Sequence, residues 1–235
     1  MRAKWVGVAE MLVLLLVIGQ AGASENKDFY SDGDIMTGEQ WNVVNIYDTP
    51  PNRTIVDMSG GLVDNLKPQN FSTFNMTDGK ISTLIALDNS ISNLSGGSVY
   101  TIGAMGTSVI NLSGTIDIFV VDVIDSGSIN ITGGLVDGLV ASNYGIINLY
   151  GGIVTDYLGA IEFSKVNVFG YNLVKTSTGG HYGYGQVYGF YNDGSSFSID
   201  LSGSETYSHI DLIPEPGTLL LLLIGVGFLR NRNCN

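Results

Sequence analysis

A repeat of about 18 residues runs through the middle of the chain and limits the folds open to it. Seven segments align on one apolar anchor, and two of the six intervals between anchors are one residue longer than the rest. The anchors are Met58, Met76, Leu94, Leu112, Ile131, Leu149 and Val168. A short fixed period of this kind is typical of stacked solenoids. We therefore expect one coil per repeat, with each coil burying its apolar face against its neighbours.

Each repeat has the pattern of a short strand followed by a turn. The anchor and the residue two before it are apolar in most copies, and the residue between them is polar, which is the period of a half-buried strand. A glycine-containing turn follows, and then a second apolar pair such as Val99 and Ile102. The predicted fold class is all-β: a single-stranded parallel β-helix, or β-solenoid, with about 18 residues per coil. We expect a right-handed coil, because the six-residue apolar spacing of left-handed hexapeptide solenoids is not kept.

The fourth copy departs from this pattern. After Leu112 its next apolar position comes one residue early, at Ile116, and the following anchor then comes one residue late. We expect a bulge or a small loop in this segment, between Leu112 and the next anchor.

The polar position between the two apolar ones is Asp57 in the first copy and asparagine in the other six. A ladder of side-chain amides, hydrogen-bonded along the stack, is the favoured interpretation because each amide both donates and accepts. A polar strip for sugar hydroxyls is the alternative. The predicted ladder residues are Asn75, Asn93, Asn111, Asn130, Asn148 and Asn167.

The segments on either side of the repeats, residues 56–173, have the features of caps. Residues 24–55 contain alternating strand-like runs and Trp41, and we expect them to close the N-terminal end of the core. In residues 174–212, Asp193-Gly194 separates two alternating runs, which is a strong β-hairpin signal. Tyrosines cluster around this hairpin at Tyr182, Tyr184, Tyr188 and Tyr191. They are interpreted as core of the cap, with stacking on sugar rings as the alternative.

Residues 1–23 have the three regions of a secretory signal peptide. Arg2 and Lys4 precede an unbroken apolar stretch, and Ala21 and Ala23 supply the small residues of a signal-peptidase site. Cleavage before Ser24 is the predicted outcome. The alternative, an N-terminal membrane anchor, is disfavoured because the apolar stretch is too short to span a bilayer.

The chain ends with a second export-related pattern, in residues 213–235. Pro214, Glu215 and Pro216 precede an uncharged run from Thr218 to Leu229, and Arg230 and Arg232 follow at once. Prolines bar a helix from continuing upstream, and the arginines favour a cytoplasmic end. The run is short for a permanent span. A plain type I membrane tail is the alternative to a processed one.

This order of motif, short apolar helix and basic end resembles the PEP-CTERM sorting signal of Gram-negative bacteria. The resemblance implies recognition by an exosortase, a membrane-embedded transpeptidase-like protease, after export with signal peptidase. It implies that Pro214, Glu215 and Pro216 are the recognition motif and that the following helix spans the membrane transiently. The repeat domain is similar to autotransporter-like and pectate-lyase-like β-solenoids. As a whole, the chain resembles exported proteins of planctomycete-like bacteria.

The composition of residues 24–213 excludes several partners. This segment has six lysines and arginines against twenty aspartates and glutamates, which argues against nucleic acid and anionic lipid. It has no cysteine, so neither disulfides nor a thiolate metal site stabilises it. No cofactor is expected, and exopolysaccharide remains a possible partner.

Four aspartates in neighbouring repeats are the best candidates for calcium binding or acid catalysis: Asp122, Asp125, Asp137 and Asp156. The nonapeptide that builds calcium sites in other solenoids is absent. The repeats contain few lysines, so a polysaccharide lyase is poorly supported. A glycosidase that uses a pair of these aspartates is the alternative that the sequence leaves open. The two histidines, His181 and His209, are far apart in sequence and no metal role is expected. We therefore expect a non-enzymatic structural or adhesive protein, with a polysaccharide-binding module or a polysaccharide-degrading β-helix as alternatives.

Overall fold

The computed structural model describes residues 25–48 and 50–214. The predicted signal-peptide site at Ala21, Ala23 and Ser24 lies outside these ranges, as do Glu215, Pro216 and the apolar run with its arginines. Within the described ranges, no helix is both long enough and apolar enough to cross a membrane. The statements below concern the two described ranges.

The described chain is all-β and forms a β-solenoid, as the repeat predicts. Its strands belong to one continuous sheet that winds around the core. One parallel ladder, here called the first ladder, contains the anchors. It comprises β2 (Gly33–Ile35), the first part of β4 (Ile55–Pro68), the first part of β5 (Thr73–Ala86), β6 (Ile91–Leu94), β8 (Val109–Leu112), β10 (Ser128–Ile131), β12 (Ile146–Leu149), β14 (Lys165–Lys175) and β17 (Ile210–Pro214).

The second ladder carries the apolar pair that follows each turn. It comprises β1 (Glu25–Phe29), β3 (Gln40–Ile46), the later parts of β4 and β5, β7 (Ser98–Ala104), β9 (Asp117–Val123), β11 (Leu135–Ala141), β13 (Ile153–Ala160) and β16 (Ser196–Leu201). Within β7, Tyr100 and Thr101 both face away from the core between buried Val99 and Ile102, so the strand turns a corner there. The predicted coil spacing of about 18 residues is confirmed. The right-handed sense stays a prediction.

Inward-facing side chains fill the coil with columns of similar residues. The anchors are all buried, and so are the residues two positions before them, which form a column of Val56, Phe74, Ser92, Ile110, Ile129, Ile147 and Val166. Because each coil sits on the next at the strand spacing of about 4.8 Å, like residues contact like residues along the axis. The core is therefore one continuous apolar cylinder.

The corner between the second ladder and the next coil has a recurring left-handed residue. Its φ lies between 55° and 66° at Asn70, Asp88, Gly106, Asp125 and Asn143. Asparagine, aspartate and glycine tolerate this conformation better than other residues. Glu162 takes the same position in the next coil, with φ 63°. The recurrence explains why small polar residues appear once per repeat at this corner.

The irregularity predicted in the fourth copy is present, and it is an enlarged turn directly after Leu112. Ile118, six residues after Leu112, pairs with Val99, which is five residues after Leu94. The extra residue therefore lies in the turn between β8 and β9 and precedes Ile116, whose carbonyl takes the place of those of Gly97 and Gly134 and whose side chain is buried. After Ile118 the coil has the usual length, so there is no bulge before the next anchor.

The predicted N-terminal cap, residues 24–55, forms strands over residues 25–46 that stack in parallel on β4. β1 pairs with β3, and β3 pairs with the later part of β4. Phe29 is buried at this end, and Trp41 packs against the core from a partly buried position. Lys27 Nζ lies 4.7 Å from the Trp41 ring centroid. The segment therefore closes the core while extending both ladders.

The predicted hairpin is present at the other end. β15 (Gln186–Phe190) pairs antiparallel with β16, and Asp193 and Gly194 lie in the loop between them. β15 also pairs antiparallel with the extension of β14. A 3-10 helix, Thr206–His209, leads from β16 into β17, which returns to the first ladder. β15 is therefore inserted between two strands of the solenoid, β14 and β16, and β17 continues the first ladder after β16.

Candidate functional site

The six predicted asparagines form one hydrogen-bonded ladder along the first ladder's outer face. Each Nδ2 donates to Oδ1 of the preceding coil. The donor–acceptor distances are 2.8 Å for Asn93 to Asn75, Asn111 to Asn93, Asn130 to Asn111 and Asn167 to Asn148, and 2.9 Å for Asn148 to Asn130. All amides point the same way, so their dipoles add along the rod. The side chains are only partly buried, and water can reach the ladder.

Aspartates occupy the ladder position at both ends. Asn75 Nδ2 donates to Asp57 Oδ1 at 2.7 Å, and Asp34 is in register with Asp57. A carboxylate suits this end because the amide dipoles present their donors to it. At the other end Asp211 is in register with Asn167. Asn167 Nδ2 donates to Asn148, so Asn167 Oδ1 is on the side of Asp211. An ionised carboxylate cannot donate, so this junction brings two acceptors together.

The four candidate aspartates lie at separate places on the outer surface. Asp122 is half-buried near the end of β9, and burial raises the pKa of its carboxyl. Asp125 lies in the following corner and accepts a hydrogen bond from Asn143 Nδ2 at 3.2 Å. Asp137 accepts from Thr155, and Asp156 accepts from the Tyr182 hydroxyl. Each of the last three already has a partner within the protein.

The histidines have structural surroundings. His209 Nδ1 lies 2.9 Å from the Ser164 carbonyl oxygen. The His181 backbone amide donates to Asp200, and its ring packs edge-on against Tyr182. Among residues 25–48 and 50–214, no group of three histidine, cysteine, aspartate or glutamate side chains is placed to hold a metal ion.

The tyrosine cluster divides into one core residue and three exposed ones. Tyr191 is fully buried and stacks on Phe197, and burial strongly raises the pKa of its hydroxyl. Tyr182, Tyr184 and Tyr188 are exposed. The hydrogen bond to Asp156 is the main cause of the raised pKa of Tyr182. The core interpretation therefore holds for Tyr191 alone.

The outer face of the second ladder has a surface groove that the sequence analysis did not predict. Its centre is a stacked pair, Tyr100 and Phe119, with ring centroids 4.8 Å apart and planes 8° from parallel. Both rings are exposed although they are large and apolar. The groove continues over Leu62, Asp64, Lys80, Ser82 and Asp137. The sequence pointed to Asp137 alone among these residues, as a candidate aspartate, because outward positions vary from coil to coil and have no repeat signal.

Pro214 is the only residue of the proposed sorting motif that the structure describes. It is the last residue of β17, is exposed, and pairs with Gly170 of β14.

Searches found no matching family model, no matching curated protein and no matching solved structure. The function must therefore be argued from the residues and their geometry.

Proposed function

We propose that the protein is an exported, non-enzymatic structural or adhesive rod of the cell surface or extracellular matrix. The observation that carries this proposal is the asparagine ladder, which runs from Asp57 to Asn167 without a break. Together with the parallel backbone ladders, it holds the coils in register through the chain's own groups. A self-supporting rod suits a load-bearing or spacing role outside the cell.

The two ends of the sequence support the route of export. The signal-peptide pattern at Ala21, Ala23 and Ser24 would direct the chain across the inner membrane. The motif Pro214-Glu215-Pro216 would present it to an exosortase while residues 218–229 span the membrane transiently. Pro214 is exposed at the end of the last strand, so a protease could reach the motif without unfolding the solenoid.

Mass spectrometry of the C-terminal peptide, from the culture medium and from membranes, tests the proposed route. We expect the extracellular form to end near Pro216 and to lack the leucine-rich run. Glu215→Gln should retain the full tail, whereas Glu205→Gln, outside the motif, should be processed normally. Recovery of wild-type protein only from membranes, with Arg230 and Arg232 intact, would show a plain anchor instead.

Polysaccharide binding is the second candidate function, and the exposed aromatic side chains favour it. Tyr100, Phe119 and Tyr182 present ring faces or edges to solvent, and aromatic rings are suited to stacking on sugars. Incubating the protein with neutral and acidic polysaccharides separates the alternatives. Binding without release of oligosaccharides supports a binding module, and release would establish the degrading enzyme.

A further inference from the structure

The groove on the second ladder contains a slot of defined width. Phe119 covers one face of the Tyr100 ring, so the other face points along the rod toward the preceding coil. That coil places only Ser82 at the equivalent position, and the coil before it places Asp64. Two coil spacings separate Asp64 from Tyr100, which is about 9.6 Å. The small serine between them leaves this space open.

The width of the slot matches one sugar ring. A ring held between two walls needs van der Waals contact on both faces, or roughly 7 to 8 Å in all. The remaining space, about 2 Å, allows hydroxyl groups to project toward the walls. Tyr100 forms the apolar wall, and Leu62 and Asp64 form the opposite one. Ser82 and Lys80 lie on the coil between them, and Ser98 lies beside Tyr100 on its own coil. One ring face would be stacked while polar groups surround the edge, as sugars require.

The charge of the groove selects among sugars. Asp64, Asp117 and Asp137 line it, with Lys80 as the single cation. The surrounding protein is strongly acidic as well, with a formal net charge of −12 for the whole chain. A uronate or a sulfated sugar would be repelled, whereas a protonated amino sugar would be attracted. The carboxylate of Asp64 is also a strong acceptor for an ammonium or hydroxyl group.

We propose that the slot between Asp64 and Tyr100 is a binding subsite for a pyranose ring of an amino-sugar polysaccharide. The proposal deepens the second candidate function and rests on it, whereas the export route stands independently. Both aromatic rings are exposed, as contact with a sugar chain requires.

Calorimetric titration of the purified exported protein with glucosamine hexamer tests the subsite. Tyr100→Ala should weaken binding about tenfold, or about 1.4 kcal/mol, because it removes both the stacking face and its buried area. Ser82→Tyr should abolish binding by filling the slot, and it extends the aromatic stack, so the fold is kept. Tyr144→Ala is the matched control: Tyr144 is equally exposed, at 60% against 61%, and stacks on Phe163 at a different corner.

The outcomes separate the site from the wider function. Binding that Tyr144→Ala leaves unchanged, and that both groove variants lose, supports the subsite. Binding that survives both groove variants would keep the module function but overturn this site. Failure of wild-type protein to bind glucosamine hexamer, or tighter binding of oligogalacturonate, would overturn the proposal while the C-terminal mass spectrum still decides the export route.

Discussion

Removing one amide from the middle of the asparagine ladder should cost about twice as much as removing the last one. Asn111 donates to Asn93 Oδ1 and accepts from Asn130 Nδ2, each at 2.8 Å. Asn111→Ala deletes both hydrogen bonds. At a net value of about 0.5 to 1.5 kcal/mol for each, the loss in the free energy of unfolding is about 1 to 3 kcal/mol.

Asn167→Ala is the matched control, because Asn167 makes a single ladder bond, to Asn148 at 2.8 Å. Its predicted loss is about 0.5 to 1.5 kcal/mol. Both side chains are partly buried on the same face of the first ladder, so their desolvation is similar. The difference between the two variants therefore reports the number of ladder bonds.

Urea unfolding followed by far-ultraviolet circular dichroism measures both losses. The midpoint should fall in both variants with the slope unchanged, since neither substitution changes the surface exposed on unfolding by much. Equal losses, or a loss below about 0.5 kcal/mol for Asn111→Ala, would refute the ladder as a source of stability. A changed slope would show instead that the coils no longer unfold together.

Three further predictions test other parts of the structure. Asp211→Asn supplies a donor opposite Asn167 Oδ1 and should raise the free energy of unfolding by about 0.5 to 1.5 kcal/mol in urea melts. Ser92→Val removes a buried hydroxyl that has no hydrogen-bond partner and should stabilise the core by about 1 to 3 kcal/mol, whereas Ser92→Thr, which keeps the hydroxyl, should not. Ser195 donates hydrogen bonds to Asp193 that lower the pKa of the Asp193 carboxyl. Because this pKa is lower in the folded state, the carboxylate stabilises the fold above the unfolded-state pKa. This stabilisation is lost as pH falls below about 4. Thermal melts of Asp193→Asn should therefore lose this part of the acid dependence, and an unchanged pH profile would contradict the assignment.

The sequence was sufficient to predict the coils because their inward positions obey a packing constraint. Every coil rests on its neighbours through the same columns, so an apolar residue at the anchor must recur at each turn. The asparagine position is equally constrained, since each amide needs a matching partner above and below it. Both signals were read directly from the spacing between Met58 and Val168, and the structure gives the hydrogen bonds that account for them.

The ends of the ladder were harder to predict because the residue type changes there. Asp34 and Asp211 each lie between apolar residues, in GDI and IDL, but they break the run of asparagines. In addition, Leu212 of β17 pairs with Val168 although the hairpin and the 3-10 helix are inserted between their strands. A fixed period of about 18 residues cannot detect a coil that is interrupted in this way.

The groove could not be predicted for a different physical reason, which is the register of β9 against β7. Counting from the anchors, Tyr100 is six residues after Leu94, and the residue six after Leu112 is Ile118, a core residue. Only the extra residue in the turn between β8 and β9 moves Phe119 into the column of Tyr100, where the two rings stack. A shift of one residue exchanges the inner and outer faces of a strand, so an outward site next to an insertion cannot be located until the insertion is placed. The hydrogen bonds between coils place it, because Ile116 O accepts from Leu135 N just as Gly97 O accepts from Asp117 N. The extra residue therefore precedes Ile116 in the turn and disturbs neither β8 nor β9.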